Sequence, residues 1–158
     1  MRTLTLQPIT EAAFAPFGHL LRVPAVGLPR LDLIEDMQNL RPSARLRLSL
    51  SSIAATQLPV TIEQMERHVA SSQAFLPLAC EGYLVVVAPH GLEGKPDLEG
   101  LRAFSVPGDC CINYRADTWH RPFTALHGPA RFAVLTFVAG APEDDQFVPL
   151  PEPVRIVA

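Results

Sequence analysis

Between Arg45 and Ser51 the chain reads Arg-Leu-Arg-Leu-Ser-Leu-Ser, apolar at every even position and polar at every odd one. A period of two belongs to a β-strand, whose side chains alternate between its faces; a helix would scatter these leucines around its circumference. The segment is therefore expected to be a strand with one wet face. Leu4 and Leu6 repeat the pattern on a smaller scale, and further strand candidates are Gly18 to Val23, Leu31 to Glu35, Val60 to His68, Gln73 to Leu78, Tyr83 to Ala88, Leu101 to Val106, Asp109 to Tyr114, Arg131 to Phe137 and Gln146 to Val148. One short helix is expected at Glu11-Ala12-Ala13-Phe14, capped by Thr10 and stopped by Pro16 and Gly18. The 16 prolines and 9 glycines keep all these runs short, and no long helical pattern separates them. Parallel βαβ units and helix bundles are thereby excluded, which leaves an all-β antiparallel sandwich or barrel.

A chain of 158 residues is expected to form one domain, residues 1–158, with a core of ordinary size. The net charge of −3 provides no basic footprint for a nucleic acid. The N-terminal MRTLTLQPIT has no apolar core like that of an export signal, and the longest apolar run, Tyr83 to Pro89, is too short to cross a membrane. Three cysteines, two of them adjacent at Cys110 and Cys111, make neither a disulfide framework nor a CxxC zinc site, so a cytoplasmic location is expected. Pro89 to Gly100 reads as a solvated loop, and Val154 to Val157, in a proline-rich tail, as an edge strand.

Two segments carry chemistry. Pleat parity places Val60, Ile62, Gln64, Glu66 and His68 on one face, so an apolar strand acquires Gln, Glu and His at its downstream end, as the wall of a pocket would. The competing reading is a bulge near Gln64 that turns the later residues to solvent. Downstream, Gly108-Asp109 opens a short apolar strand, and a polar corner follows that ends in Trp119-His120. With Gln73 placed five residues after His68, these segments resemble the two motifs of the cupin superfamily. Leu58-Pro59-Val60-Thr61-Ile62, Glu66-Arg67-His68, Gln73-Ala74-Phe75-Leu76-Pro77, Lys95-Pro96-Asp97-Leu98, Leu101-Arg102-Ala103-Phe104, Asn113-Tyr114 and Trp119-His120 resemble, in order and spacing, the ureidoglycolate lyase family.

The resemblance implies a cupin-like double-stranded β-helix, usually a homodimer, that cleaves the small molecule ureidoglycolate to glyoxylate and urea in purine-derived ureide breakdown. Such a cleavage needs a base for the hydroxyl proton and an acid for the departing nitrogen. His68 and His120 are the candidates, and Glu66 orients or assists them. A divalent ion (nickel, manganese or zinc) held by Glu66, His68, Gln73 and His120 would polarise the hydroxyl, with Gln73 the weak member of that set. Arg102 is the expected partner of the substrate carboxylate, ahead of Arg67, which parity turns the other way; Gln73, Asn113 and Tyr114 complete the expected substrate contacts. Trp119 packs the corner, while His19, His90 and His127 stand in loops. The chain departs from the family pattern between Leu28 and Ser52, where part of a basic anion clamp is replaced by Leu31 to Asn39 and by Ser51-Ser52. A non-catalytic cupin that binds or senses a small acid is the alternative that this departure favours.

Overall fold

The computed structural model describes residues 1–158 and is built almost wholly of strands. In chain order these are β1 (Arg2–Thr5), β2 (Gln7–Pro8), β3 (Gly18–Leu21), β4 (Arg45–Ile53), β5 (Ala55–Thr56), β6 (Val60–Arg67) and β7 (Gln73–Ala79). There follow β8 (Gly82–Ala88), β9 (Arg102–Pro107), β10 (Cys111–Tyr114), β11 (Trp119–His120), β12 (Thr124–Leu126), β13 (Ala130–Val138) and β14 (Gln146–Val157). The one α-helix, α1 (Glu11–Phe14), is capped as expected: Ala13 N donates to Thr10 Oγ1 at 3.2 Å, and Phe14 is fully buried.

The strands form two sheets. The larger contains β1, β14, β6, β11, β8, β12 and β5, with β9 on the free side of β8 and β2 on β9; the smaller runs β3-β10-β7-β13-β4. Most pairings are antiparallel, but β1–β14, β2–β9 and β5–β12 are parallel. One core lies between the sheets, where Tyr83, Val85, Val87, Phe104 and Val106 meet Phe75, Ile112, Phe132 and Val134, with Phe14 and Phe17 packed in. The larger sheet curls, and its other face encloses a second core of Val60, Ile62, Met65, Leu84, Val86, Ala103, Trp119, Val154 and Ile156. This is the all-β architecture that alternation and punctuation imply, in the cupin-like form that the family resemblance implies.

Several local expectations change. Leu31 to Glu35 is not a strand: Ile34–Asp36 is a 3-10 turn whose backbone is satisfied locally by Asp36 N and Met37 N donating to Leu33 O. The tail is not an edge either, because β14 lies between β1 and β6. Pro151 and Pro153 fall where the β6 ladder jumps register between Pro149 and Val154, so they interrupt no regular pairing.

The most consequential difference concerns β4. Its leucine face is not the buried one: Leu46, Leu48 and Leu50 are 58%, 63% and 75% exposed. Directly paired residues share a face, and Ser49 pairs with core Val134, Ser51 with core Phe132. The polar side of β4 therefore turns toward the space between the sheets, and its leucines turn outward.

Candidate active site

Glu66 and His68 reach the inter-sheet space by a route that parity does not anticipate. Ile62 and Met65 both point into the second core although they stand three positions apart, so the alternation of β6 breaks at Glu63-Gln64, opposite the register jump in β14. Val60 and Ile62 thus do not share a face with Glu66. The bulge weighed above exists, but it turns Glu66 inward beside His120 rather than out to solvent. Just beyond the strand, His68 is buried at 5% exposure.

His120 arrives from the other motif. Gly108 is required at its start because any side chain there would collide with the Cys80 backbone. A turn at Asp117 then reverses the chain, and Asp117 N donates to His68 O at 2.8 Å, tying the two motifs together. On two-residue β11, Trp119 points into the second core and its indole N–H donates to Gly94 O at 2.9 Å, while His120 points the opposite way. His120 stacks on Tyr114, ring centroids 4.3 Å apart, and its ring centroid lies 5.3 Å from that of His68.

Hydrogen bonds assign the tautomers. His120 Nδ1 lies 2.9 Å from Thr118 O, and His68 Nδ1 lies 2.8 Å from Asp144 O. A carbonyl oxygen only accepts, so each Nδ1 carries the proton and each neutral ring keeps its lone pair on Nε2. Asp145 Oδ1, 2.8 Å from the same His68 Nδ1, reinforces that arrangement. His120 Nε2 faces Glu66 Oε1 at 3.2 Å, and ligand atoms of Glu66, His68 and His120 all lie within 4.8 Å of one another. His68 Nε2, His120 Nε2 and Gln73 Oε1 are buried without a hydrogen-bond partner. Acceptor lone pairs gathered around a carboxylate repel unless a proton or a cation lies among them, so this donor set fits a divalent ion. Asp144 O and Thr118 O orient the two imidazoles as outer partners of ligating histidines do.

The supports around the cluster are themselves held. The Asp144 carboxylate accepts from Ala139 N, Gly140 N and Ala141 N and pairs with Arg41 at 2.5 Å. Partial burial opposes its ionisation, but these donors outweigh burial and hold its pKa at about 2. Burial, and then the Glu66 charge, push the Tyr114 phenol well above its ordinary value, so it remains a proton donor.

The other expected substrate contacts separate. Gln73 and Tyr114 pair directly and face the cluster. Asn113 does not: it faces away from the inter-sheet space, and its Nδ2 donates to Asp36 O at 2.8 Å. Arg102 shares a sheet row with His120 but lies beyond Val87, exposed beside Thr3, Leu4, Thr5 and Gln7. Arg67 is engaged elsewhere, with Asp117 at 3.0 Å, with Gln146 Oε1 and over the Trp119 ring at 4.5 Å. Of the three histidines expected in loops, His19 instead lies on β3 opposite Asn113 and is half-buried, while His90 and His127 are exposed. Asp144 and Asp145, which orient His68, went unrecognised in the sequence; they lie far from it along the chain, and only the return of the tail beside β6 brings them there.

Comparison with known proteins places this geometry. Residues 1–157 match the family described as Ureidoglycolate lyase. A ureidoglycolate lyase of Azotobacter vinelandii is 33% identical over 154 residues, covering 92% of each chain. One from Pseudomonas syringae pv. syringae is 34% identical over 143 residues, covering 85% of this chain and 83% of its own. Among solved structures, a dTDP sugar isomerase from Desulfovibrio desulfuricans shares the fold, with a TM-score of 0.53 at 16% identity over 85% of this chain and 83% of its own. A family match along essentially the whole sequence, and relatives a third identical to it, show that this chain belongs to the ureidoglycolate lyase family.

Proposed function

We propose that this protein is an enzyme that cleaves ureidoglycolate to glyoxylate and urea, acting in purine and allantoin breakdown, with Glu66, His68 and His120 as its catalytic cluster. The observation that carries this reading is the convergence of His68 Nε2 and His120 Nε2, both buried without a hydrogen-bond partner, on the Glu66 carboxylate, within a chain of this family. The substrate carbon bears a hydroxyl, a carboxylate and a urea nitrogen. His120, with its Nδ1 proton fixed on Thr118 O, takes the hydroxyl proton at Nε2. The oxygen electrons form the glyoxylate carbonyl as the carbon–nitrogen bond breaks, and the bonding pair leaves with nitrogen. His68, once protonated at Nε2, returns a proton to that nitrogen, so atoms balance without water. Glu66 beside His120 stabilises the imidazolium formed midway. A divalent ion would occupy these same Nε2 lone pairs, held by Glu66, His68 and His120 with Gln73 as a weak fourth donor, and when bound it would supply Lewis-acid polarisation of the substrate hydroxyl in place of proton transfer to the imidazoles. Gln73 and Tyr114 supply polar contacts to the substrate at the same end of the inter-sheet space. A pocket that merely senses an acid has no use for two imidazoles oriented with free Nε2 atoms, and the sensor reading is not favoured.

The chain works as a single domain, a reading supported by the pairing of its first strand with its last. Its working form is a homodimer that covers the outer face of the smaller sheet, where Leu46, Leu48 and Leu50 lie beside Leu135 and Phe137. Three free cysteines suit a reducing cytoplasm, and no helix is long and apolar enough to cross a membrane. The test is incubation of purified protein with racemic ureidoglycolate, with and without chelator. Release of glyoxylate and urea from one enantiomer is expected, and absence of both products, even with added nickel, manganese or zinc, would overturn the reading.

A further inference from the structure

A carbinolamide acid brings a carboxylate into the pocket, and the guanidiniums around the fold differ sharply in whether they are free to meet it. Arg41 is paired with Asp144 and Arg67 with Asp117. Arg115 donates to Ala15 O, and Arg121, partly buried, donates to Thr124 Oγ1. Arg102 shares the row of His120 and Val87 but is exposed at the margin of β9, beside Thr3, Leu4, Thr5 and Gln7. Arg47 is different. Like Arg45 it is exposed, pairs with no carboxylate and belongs to the polar side of β4, which turns toward the inter-sheet space, but unlike Arg45 it stands in the row that reaches Gln73.

Its place in that space follows from register. Arg47 stands opposite Thr136, Thr136 opposite Gln73, and Gln73 opposite Tyr114, which stacks on His120. Directly opposed residues share a face, so these four side chains form one row across the inner surface of the smaller sheet. Thr136 is short, and its hydroxyl is already committed to Ser72 O and Ser71. Arg47 and Gln73 are about 10 Å apart along the row by the usual strand spacing, a distance that an extended arginine side chain and a small acid together span.

We infer that Arg47 binds the substrate carboxylate and thereby sets which end of the substrate meets the histidines, an inference that rests on the lyase reading of the site. The guanidinium grips the carboxylate as a fork, leaving the hydroxyl toward His120 and the urea arm toward Tyr114. Arg47 is thus the cation for which the sequence suggested Arg102.

The test compares Arg47→Ala and Arg47→Lys with wild type, using Arg155→Ala, an exposed arginine on β14, as the control. Steady-state kinetics with ureidoglycolate are paired with calorimetric binding of glyoxylate, after circular dichroism has shown that each variant is folded. Arg47→Ala is expected to raise KM by about tenfold or more, as loss of a charged hydrogen bond does, with a smaller effect on kcat and a matching loss of glyoxylate affinity. Arg47→Lys should recover part of both, and Arg155→Ala should match wild type. Unchanged KM and unchanged glyoxylate affinity in Arg47→Ala would overturn the assignment. An inactive wild type whose glyoxylate binding still depends on Arg47 would refute the lyase reading and retain the anion site; a wild type with neither property would remove both.

Discussion

Asp144, distant from His68 along the chain, shows how one residue can hold the proposed reacting cluster through its backbone. Its carboxylate gathers three backbone N–H groups and Arg41, while its backbone oxygen holds His68 Nδ1. Because its folded pKa of about 2 lies below the ordinary 3.8, the stabilisation is complete above about pH 4 and is lost as pH falls toward 2. Thermal melts from pH 7 to pH 2 should show the wild-type midpoint dropping most steeply in that window. Asp144→Asn should melt lower at pH 7 and lose the steep drop; an identical acid profile in both would contradict the role. Glu66 gives a second prediction at this scale. Glu66→Gln keeps the size of the side chain but removes the charge beside His120 Nε2. Turnover should fall on the order of a hundredfold to ten-thousandfold with the fold intact, and normal turnover would exclude Glu66 from the chemistry.

At the scale of elements, β4 and β6 explain what the sequence hid. The alternation in Arg45 to Ser51 identifies a strand correctly, but a period of two cannot say which face is buried. Only the pairing of Ser49 and Ser51 with core residues of β13 settles that the leucines turn outward. In β6 the alternation was extended through a bulge whose cause lies in the prolines of β14, more than 80 residues downstream. Glu66 and His68 are legible in the sequence because the motif spacing is local, whereas the face they occupy is set by the bulge and not by simple alternation. The exposed leucines carry a prediction of their own. Each Leu buried across a dimer interface contributes up to about 1.5–3 kcal/mol, and a carboxylate inserted there would be desolvated without a partner. Sedimentation of the wild type should show twice 17.2 kDa, and Leu48→Glu should sediment as a folded monomer. A wild-type monomer would refute this interface.

For the molecule as a whole, the all-β class was legible because short alternating runs punctuated by proline and glycine admit few other folds, and the triad was legible because its residues occupy two compact motifs. The substrate contacts were less so. Asn113 and Tyr114 are neighbours in sequence but face opposite sides of a strand, and one of them anchors the 3-10 turn. Arg102 and Arg47 could be ranked only once strand order was known. The central claim is that the Glu66, His68 and His120 cluster performs the cleavage. Its most direct measurement is glyoxylate release from ureidoglycolate by wild type, His120→Ala and His127→Ala at matched concentration, each shown to be folded. Rapid release is expected from wild type and from His127→Ala, whose histidine is exposed in a turn, and a loss on the order of a hundredfold or more from His120→Ala. Equal release by all three proteins would contradict it.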